Sequence, residues 1–339
     1  MKRRWIYWLL IIAFVWLIAS RFDELSEFSQ ILTRGNLLWV LAAALLQLLY
    51  YVANSASYQA AFTAVGIKSR LRDVLPLLFG ALFVNVVAPT GGASGVALFV
   101  EDGVRHGQSP VRTAAAIVIQ FIISLIAFAV ILAAGLAYLA SHDRLEGYYL
   151  VAAVILLLAI LFMSGVILLA TRRPALLKQI LGRLQRLINW AAGRVKQIPE
   201  LTDEWIDRHV AELEEAGLAI TAHPIGLVNA LWILLLAHLV NIAGLEALFL
   251  AFSQSIPIGS LVAGYSVGFL FLFVSITPQG VGIVEGVMPV VFGSLGVPSG
   301  IATLTVLAFR GLTFWLPLAL GFILLRRMDT FRVRKSPSN

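Results

Sequence analysis

The sequence predicts an all-α membrane protein that crosses the bilayer several times. Hydrophobic residues fill 60% of the 339 positions, charged residues only 13%, and the mean hydropathy is +0.91. Soluble domains contain about 45–50% apolar and about 25% charged residues. Glycine and proline interrupt two of the apolar stretches, and basic residues flank the apolar runs. These features predict about six full spans plus two re-entrant helical hairpins, or about eight hydrophobic segments.

Residue types and spacings exclude several classes of function. The chain has no cysteine, which excludes disulfides and thiolate metal sites. Its histidines show no metal-binding spacing, and no P-loop, nucleophile elbow or dinucleotide fingerprint occurs. We therefore expect no metal and no cofactor. The net charge of +7 comes from residues at the ends of apolar runs, which is typical of membrane topology rather than of nucleic-acid binding.

The first half of the chain predicts three full spans around one interrupted segment. Residues 5–19 follow three basic residues and predict a retained first span. A cleaved signal peptide is the alternative, but 17–20 is a poor cleavage site. Residues 37–53, with Trp39 and the pair Tyr50 and Tyr51 near the ends as interfacial anchors, and residues 112–140 predict the other two spans.

The interrupted segment of the first half is residues 74–100. A continuous helix of this length would be ~40 Å long, more than the ~30 Å hydrocarbon core requires. A proline and two glycines fall near its centre, at 89–92. Broken backbone at membrane depth is tolerated only where protein or a wet cavity satisfies its polar groups. We therefore predict two half-helices joined at 89–92.

The second half repeats this order after a polar insertion. The insertion, residues 171–224, predicts a basic amphipathic helix and then an acidic helix. A basic amphipathic helix is typical of the membrane interface, although a solvated helix docked on the protein has the same pattern. Spans are predicted at 148–170, 225–252 and 301–325, and the second interrupted region lies at 260–296.

The distribution of charge predicts the orientation of the chain. Suppose that each hairpin enters and leaves by the same face and that the N-terminus is cytoplasmic. Of the lysine and arginine residues, only Arg21, Arg34 and Arg144 then lie outside, and Arg310 lies within the membrane. This bias agrees with the positive-inside rule. We expect a multi-pass protein of the cell (cytoplasmic) membrane with both termini in the cytoplasm.

The same topology divides the chain into two repeats of inverted orientation. Residues 1–147 are the first transmembrane repeat, with its hairpin at 74–100. Residues 148–339 are the second, with the cytoplasmic insertion at 171–224 and the hairpin at 260–296. Inverted repeats with broken helices at matching positions are typical of transporters that bind substrate at the repeat interface.

The two breaks supply the candidate substrate-binding residues. Half-helix N-termini present N–H groups and a partial positive charge, which bind carboxylates and phosphates. The glycines have an alternative explanation, because they also allow tight turns and close helix packing. The candidates are Asn85, Pro89, Thr90, Gly91, Gly92, Ser94, Gly95, Thr277, Pro278, Gln279, Gly280, Gly282, Glu285 and Arg310.

Glu285 and Arg310 are charges inside apolar sequence, where charge is costly and indicates function by default. We expect them to form an intramembrane ion pair. Either the pair is a structural clamp between the hairpin and the last span, or Arg310 binds a lipid phosphate and Glu285 holds Arg310 in the empty site. We expect His238 to be a hydrogen-bonded packing residue.

The pattern P-x-G-x-G-[IV]-V-E-G at 278–286, followed by RGLTFWLP at 310–317, resembles the lysylphosphatidylglycerol synthase transmembrane, or flippase-like, domain family. The resemblance covers nearly the whole chain, and the segment from Asn85 to Gly92 is similar to the family's first glycine-rich motif. That motif is commonly followed by a glutamate and an arginine, whereas SGVA stands at 94–97 here.

The resemblance implies a lipid flippase-like transporter that moves an anionic or aminoacylated phospholipid, or a related lipid-linked substrate, across the membrane. We expect a transporter rather than an enzyme. One alternative is an integral-membrane enzyme that acts on lipid head groups, with Glu101, Asp102 or Glu285 as a base. The other is a non-transporting membrane partner of a separate synthase or glycosyltransferase.

Overall fold

The computed structural model describes residues 35–192 and 224–325, apart from Pro89, Gly91 and Ile276, together with scattered positions between 202 and 218. The predicted first span at 5–19 and both chain termini lie outside these residues. That span and the location of the termini therefore stay predictions.

Helices α1 to α11 form the regular structure of the described chain. They are α1 Leu37–Ala64, α2 Leu71–Val87, α3 Ala93–Arg105, α4 Pro110–Ser141, α5 Gly147–Arg172, α6 Pro174–Ala192, α7 Pro224–Ala251, α8 Ile258–Val274, α9 Ile283–Ser294, α10 Ser299–Arg310 and α11 Leu316–Leu325. A 3₁₀ turn, Pro278–Gly280, lies between α8 and α9. A π turn, Gly311–Trp315, joins α10 to α11.

Five segments of the described chain are long and apolar enough to cross a membrane. They are α1, α4, α5, α7 and the stretch Ser299–Leu325, which contains α10, the π turn and α11. Each coincides with one of the predicted spans at 37–53, 112–140, 148–170, 225–252 and 301–325. The chain is therefore a multi-pass, all-helical membrane protein, while the total of six full spans stays a prediction.

Helix α1 extends beyond the predicted span, which ended at residue 53, as far as Ala64. The added turns are rich in polar residues, and these are accommodated because they face other helices. Ser55 and Ser57 are fully buried. Gln120 of α4 donates a hydrogen bond to Ser57 Oγ over 3.1 Å. Packing inside the protein thus permits a helix where the sequence alone suggested its end.

Each interrupted region consists of two helices separated by a break, as the sequence predicted. In the first, α2 ends at Val87 and α3 begins at Ala93. In the second, α8 ends at Val274 and α9 begins at Ile283. The re-entrant course of both regions through the bilayer stays a prediction.

The helices of the two halves pack reciprocally. Helix α1 of the first half lies along α7 of the second half. The half-helix α2 packs against α11, and its counterpart α8 packs against α4. The half-helices α3 and α9 pack against α4 and α10, respectively. Each interrupted region is therefore held between the last helical segment of its own half and that of the other half.

The insertion after α5 begins with the amphipathic helix α6. Leu177 of α6 is buried with Ile206 and Val210, which belong to the following helical positions. Lys178 makes an ion pair with Asp207 over 2.6 Å. The basic helix is therefore docked on its acidic neighbour, while Ile180 and other apolar residues of α6 remain exposed. Contact of α6 with a membrane interface stays a prediction.

The packing of α2 against α11 depends on Gly321. A Cβ atom at this position would collide with the Phe79 carbonyl oxygen and with Phe83 Cβ. Backbone atoms cannot move aside as a flexible side chain can. We therefore expect Gly321→Ala to destabilise the folded protein by about 1–3 kcal/mol through overpacking.

The measurement is thermal unfolding of the purified protein in detergent. Gly165→Ala is the matched control, because Gly165 lies within α5 and a Cβ there would meet no atom within 4 Å. The midpoint should fall for Gly321→Ala and stay the same or rise for the control. Equal midpoints for the two variants would contradict the close packing at Gly321.

Candidate functional site

The second break is built from backbone that ordinary helices avoid. Gln279, Gly280 and Gly282 have positive φ values of 54°, 65° and 85°. Glycine adopts such angles without steric cost, whereas Gln279 adopts one against its preference. Thr277 is exposed and shares a hydrogen bond of 2.7 Å with Ser275 Oγ. The break therefore turns the chain sharply, and it needs further contacts to hold Gln279 in place.

Arg310 at the end of α10 supplies those contacts. Its Nε donates to Glu285 Oε1 over 2.6 Å, and its Nη2 donates to the Gln279 carbonyl oxygen over 2.9 Å. Glu285 Oε2 accepts the Gly282 N–H over 2.7 Å, which caps the start of α9. Both charged side chains are largely buried, with 5% and 18% of their surface exposed. The ion pair suggested by the sequence therefore exists, and it ties the break to the last span.

The π turn directly after Arg310 exposes a backbone carbonyl to another helix. In a regular helix the Thr313 carbonyl would accept from residue 317, but Pro317 has no N–H. Tyr51 of α1 donates to this carbonyl over 3.0 Å. The Arg310 guanidinium lies 5.2 Å from the centre of the Phe314 ring, within cation–π range. Turns of π type occur often at functional sites.

The described residues of the first break form several local hydrogen bonds. Asn85 Oδ1 accepts hydrogen bonds from Ser94 Oγ and from the Gly95 N–H, over 2.9 Å and 2.8 Å. Thr90 Oγ1 accepts the Ser94 N–H over 2.9 Å. Gly92, the residue directly before α3, has a φ of 93°. A Cβ on Gly95 would collide with the Asn85 side chain. Asn85 and Thr90 thus cap α3, and the glycines make room for the cap.

A cavity of about 190 Å³ lies among α1, α2, α4, α7, α8, α9 and α10. Of the predicted site residues, Gln279 and Arg310 line it. The described residues of the first break, namely Asn85, Thr90, Gly92, Ser94 and Gly95, are not part of its wall. Pro89 and Gly91 lie outside the described residues. The structure therefore brings the second break to a cavity that the described residues of the first break do not line.

Sequence reasoning missed most of the cavity wall. Helix α1 contributes Gln47, Tyr50, Tyr51, Asn54 and Tyr58. Their spacing of three and four residues places them on one face of the helix. A polar and aromatic stripe on an otherwise apolar span was therefore the available signal, and it indicates a helix face that lipid does not cover. The prediction of Tyr50 and Tyr51 as interfacial anchors is therefore wrong, because the helix continues past them and turns them toward the cavity.

Other helices complete the wall with uncharged polar side chains. Gln120 and Ser124 come from α4, and His238 and Asn241 come from α7. His238 Nδ1 hydrogen-bonds the Tyr265 hydroxyl over 2.7 Å and is 3% exposed, so its expected role as a hydrogen-bonded packing residue is confirmed. The wall therefore combines amide, hydroxyl and aromatic groups with one guanidinium.

Glu101 and Asp102, the other proposed bases, lie near the end of α3 and make local contacts. Glu101 pairs with Arg105 over 2.9 Å, and Asp102 lies 3.3 Å from His106 Nδ1. Neither carboxylate is part of the cavity wall as described. Within the described residues, no group of three or more histidine, aspartate or glutamate side chains could hold a metal ion.

Broken helices, a buried ion pair at one break and a polar cavity between long apolar helices define a multi-pass membrane protein with an internal polar cavity. The family model of the lysylphosphatidylglycerol synthase TM region matches residues 4–321. The chain therefore belongs to this family, as the motifs at 278–286 and 310–317 indicated.

Two curated relatives are similar along almost their whole length. A UPF0104 membrane protein of Methanocaldococcus jannaschii is 23% identical over 325 residues, which cover 93% of this chain and 92% of the relative. A UPF0104 membrane protein of Methanothermobacter thermautotrophicus is 21% identical over 314 residues, or 87% of each chain. The names of both relatives indicate a membrane protein and give no substrate.

The ion pair makes a specific prediction about stability. Glu285→Ala should destabilise the protein by about 3–5 kcal/mol, because it leaves the Arg310 charge buried without its partner. The double variant Glu285→Ala/Arg310→Ala should be more stable than Glu285→Ala alone, since it removes that unpaired charge. Thermal unfolding of each variant in nanodiscs measures both effects. A double variant whose loss equals the sum of the single losses would contradict direct pairing.

The bond from Tyr51 to the π turn makes a second prediction. Tyr51→Phe removes the donor and leaves the Thr313 carbonyl buried without it, so the midpoint of thermal unfolding should fall by an amount equivalent to about 1 kcal/mol. Tyr148→Phe is the control, because Tyr148 is 49% exposed and its hydroxyl donates to the hydroxyl of the adjacent Tyr149 rather than to a backbone carbonyl. An equal effect of both variants would argue against a special role for the Tyr51 bond.

Proposed function

We propose that the protein is a lipid flippase-like transporter, in which the cavity binds the head group of an anionic or aminoacylated phospholipid, or of a related lipid-linked substrate, while the acyl or prenyl tails stay in the bilayer. It would lie in the cell membrane with both termini in the cytoplasm, as the charge distribution predicts. The partners implied are membrane lipids.

The observation that carries the proposal is the polar cavity beside Arg310. A buried guanidinium and several amide side chains are costly within apolar helices, and such groups mark substrate pathways in membrane proteins. Arg310 has five N–H donors, and its bonds to Glu285 and Gln279 use two of them. Arg310 also lines the cavity, where a guanidinium is suited to bidentate binding of phosphate.

The reciprocal packing of the helices supports alternating access. Helix α2 packs on α11 while α8 packs on α4, which is the pairing expected for two inverted repeats related by a pseudo-two-fold axis. In such architectures one repeat rocks against the other around a central site. Any driving force would come from an ion gradient or the membrane potential, since the sequence has no nucleotide-binding motif.

The contacts of Glu285 favour a transporter over a lipid head-group enzyme. Both of its carboxylate oxygens accept hydrogen bonds, one from Arg310 and one from the Gly282 N–H. Protein N–H groups therefore occupy both oxygens, and Glu285 is not part of the described cavity wall. Glu285 is therefore better suited to orienting Arg310 than to acting as a general base.

The test is lipid movement in proteoliposomes. Fluorescent phosphatidylglycerol, its lysyl form and a polyprenyl phosphate would be incorporated in turn, and a membrane-impermeant quencher would report their arrival in the outer leaflet. The wild-type protein should accelerate the movement of at least one lipid. Glu285→Ala/Arg310→Ala should reduce that rate at least tenfold, because the guanidinium that binds the lipid phosphate is lost. Phe162→Ala, on the exposed face of α5, should leave the rate unchanged.

Unchanged transport in the double variant would contradict the phosphate-binding role of Arg310. Absence of movement for every lipid, from a protein with normal thermal unfolding, would contradict transport itself. The remaining hypothesis would then be a membrane partner of a separate synthase or glycosyltransferase. Purification of the protein with that enzyme, and loss of the enzyme's activity on deletion, would test it.

A further inference from the structure

We propose that the cavity selects an anionic head group that carries hydroxyl or amide groups and discriminates against a cationic aminoacyl head group. This inference rests on the proposed transport function and narrows its substrate class. It follows from the charges on the cavity wall and from two buried polar atoms that lack partners.

The charge on the wall is positive. Among the described residues that line the cavity there is no aspartate, glutamate or lysine, and Arg310 carries the one guanidinium. Glu285 pairs with Arg310 through one oxygen and with the Gly282 N–H through the other, and it is not part of the described wall. A phosphate entering the cavity would therefore meet the guanidinium and no carboxylate on that wall.

A lysyl head group would be poorly matched to this wall. It brings ammonium groups close to a buried guanidinium, and the described wall offers no carboxylate to pair with them. Repulsion between like charges and loss of hydration both oppose its entry, and both effects are stronger in a partly enclosed, apolar site than in water.

Two unpaired polar atoms indicate what the cavity does accept. Asn241 is 1% exposed and Gln47 is 2% exposed, and both line the cavity. Asn241 Oδ1 has no hydrogen-bond partner among the described residues, and Gln47 Nε2 has none at full hydrogen-bonding distance, although the Tyr51 hydroxyl lies close to it. Buried polar atoms are nearly always hydrogen-bonded, so unpaired ones on a cavity wall are expected where a bound ligand supplies the missing hydrogen bonds.

The two atoms also define the chemistry of that ligand. One is an acceptor on α7 and the other is a donor on α1, and these two helices lie along each other. Hydroxyl and amide groups both donate and accept, so one kind of substituent satisfies both atoms, whereas an ammonium group only donates. Asn54 and Gln120 add further uncharged amides to the same wall.

The experiment compares three lipids that separate charge from size. They are phosphatidylglycerol, lysyl-phosphatidylglycerol, and lysyl-phosphatidylglycerol with both amines acetylated, which keeps the bulk and removes the positive charges. Transport is measured in proteoliposomes that hold the full chain. Binding is measured separately, as the rise in the midpoint of thermal unfolding that each lipid causes in detergent.

We expect phosphatidylglycerol and the acetylated lipid to move at least tenfold faster than the lysyl lipid and to stabilise the protein more. Movement of the lysyl lipid as fast as the acetylated one overturns the head-group inference and leaves transport supported. If no lipid moves, transport is contradicted, and the unfolding midpoints decide the head-group inference. Greater stabilisation by phosphatidylglycerol and the acetylated lipid supports the head-group inference, and equal or greater stabilisation by the lysyl lipid overturns it.

A charge variant tests the same inference from the side of the protein. Asn54→Asp places a carboxylate on the half-buried wall of the cavity, and it should raise the transport and binding of the lysyl lipid relative to phosphatidylglycerol at least tenfold. Asn36→Asp is the matched control, because Asn36 is exposed, caps α1 and does not line the cavity. The same shift in both variants would overturn a local effect of cavity charge.

Discussion

The contact between Arg310 and Glu285 is the interaction on which the rest of the site depends. It joins three chain segments at once: the strained turn at Gln279, the start of α9 and the end of α10. A helix break inside a membrane leaves backbone groups without partners, and lipid offers none. The arginine supplies donors for a carbonyl at the break, and the glutamate keeps the arginine in position. The ion pair therefore makes broken backbone compatible with an apolar environment.

The same constraint explains why side chains from distant helices converge on this region. Pro317 deprives the Thr313 carbonyl of its helical donor, and Tyr51 of α1 provides another. The polar stripe on α1 therefore faces the π turn, and the other residues of that stripe line the adjacent cavity. At the first break, Asn85 and Thr90 perform the equivalent task locally. At the first break, neighbouring side chains accept the free N–H groups of α3. At the second break, Arg310 bonds a backbone carbonyl and also lines a cavity with space for a ligand.

The sequence predicted those features that follow from residue type and order. Glycine and proline identified both breaks, apolar runs identified the five described spans, and the isolated charges identified the pair between Glu285 and Arg310. The cavity wall was missed because the neighbours of a polar residue on an apolar helix depend on how that helix is rotated. Asn85 shows the same limit, since only the fold reveals that its amide caps α3 and does not line the cavity.

The proposed transport by alternating access requires the cavity to open to each side of the membrane in turn, and the absence of cysteine from the chain makes this directly measurable. Ser124 lines the cavity, so Ser124→Cys places one thiol on its wall with little change in volume. The measurement is the rate of labelling by a membrane-impermeant thiol reagent applied to either face of oriented membranes. We predict labelling from both faces, and protection by phosphatidylglycerol against labelling from either face. Labelling from one face alone, without protection by lipid, would contradict alternating access.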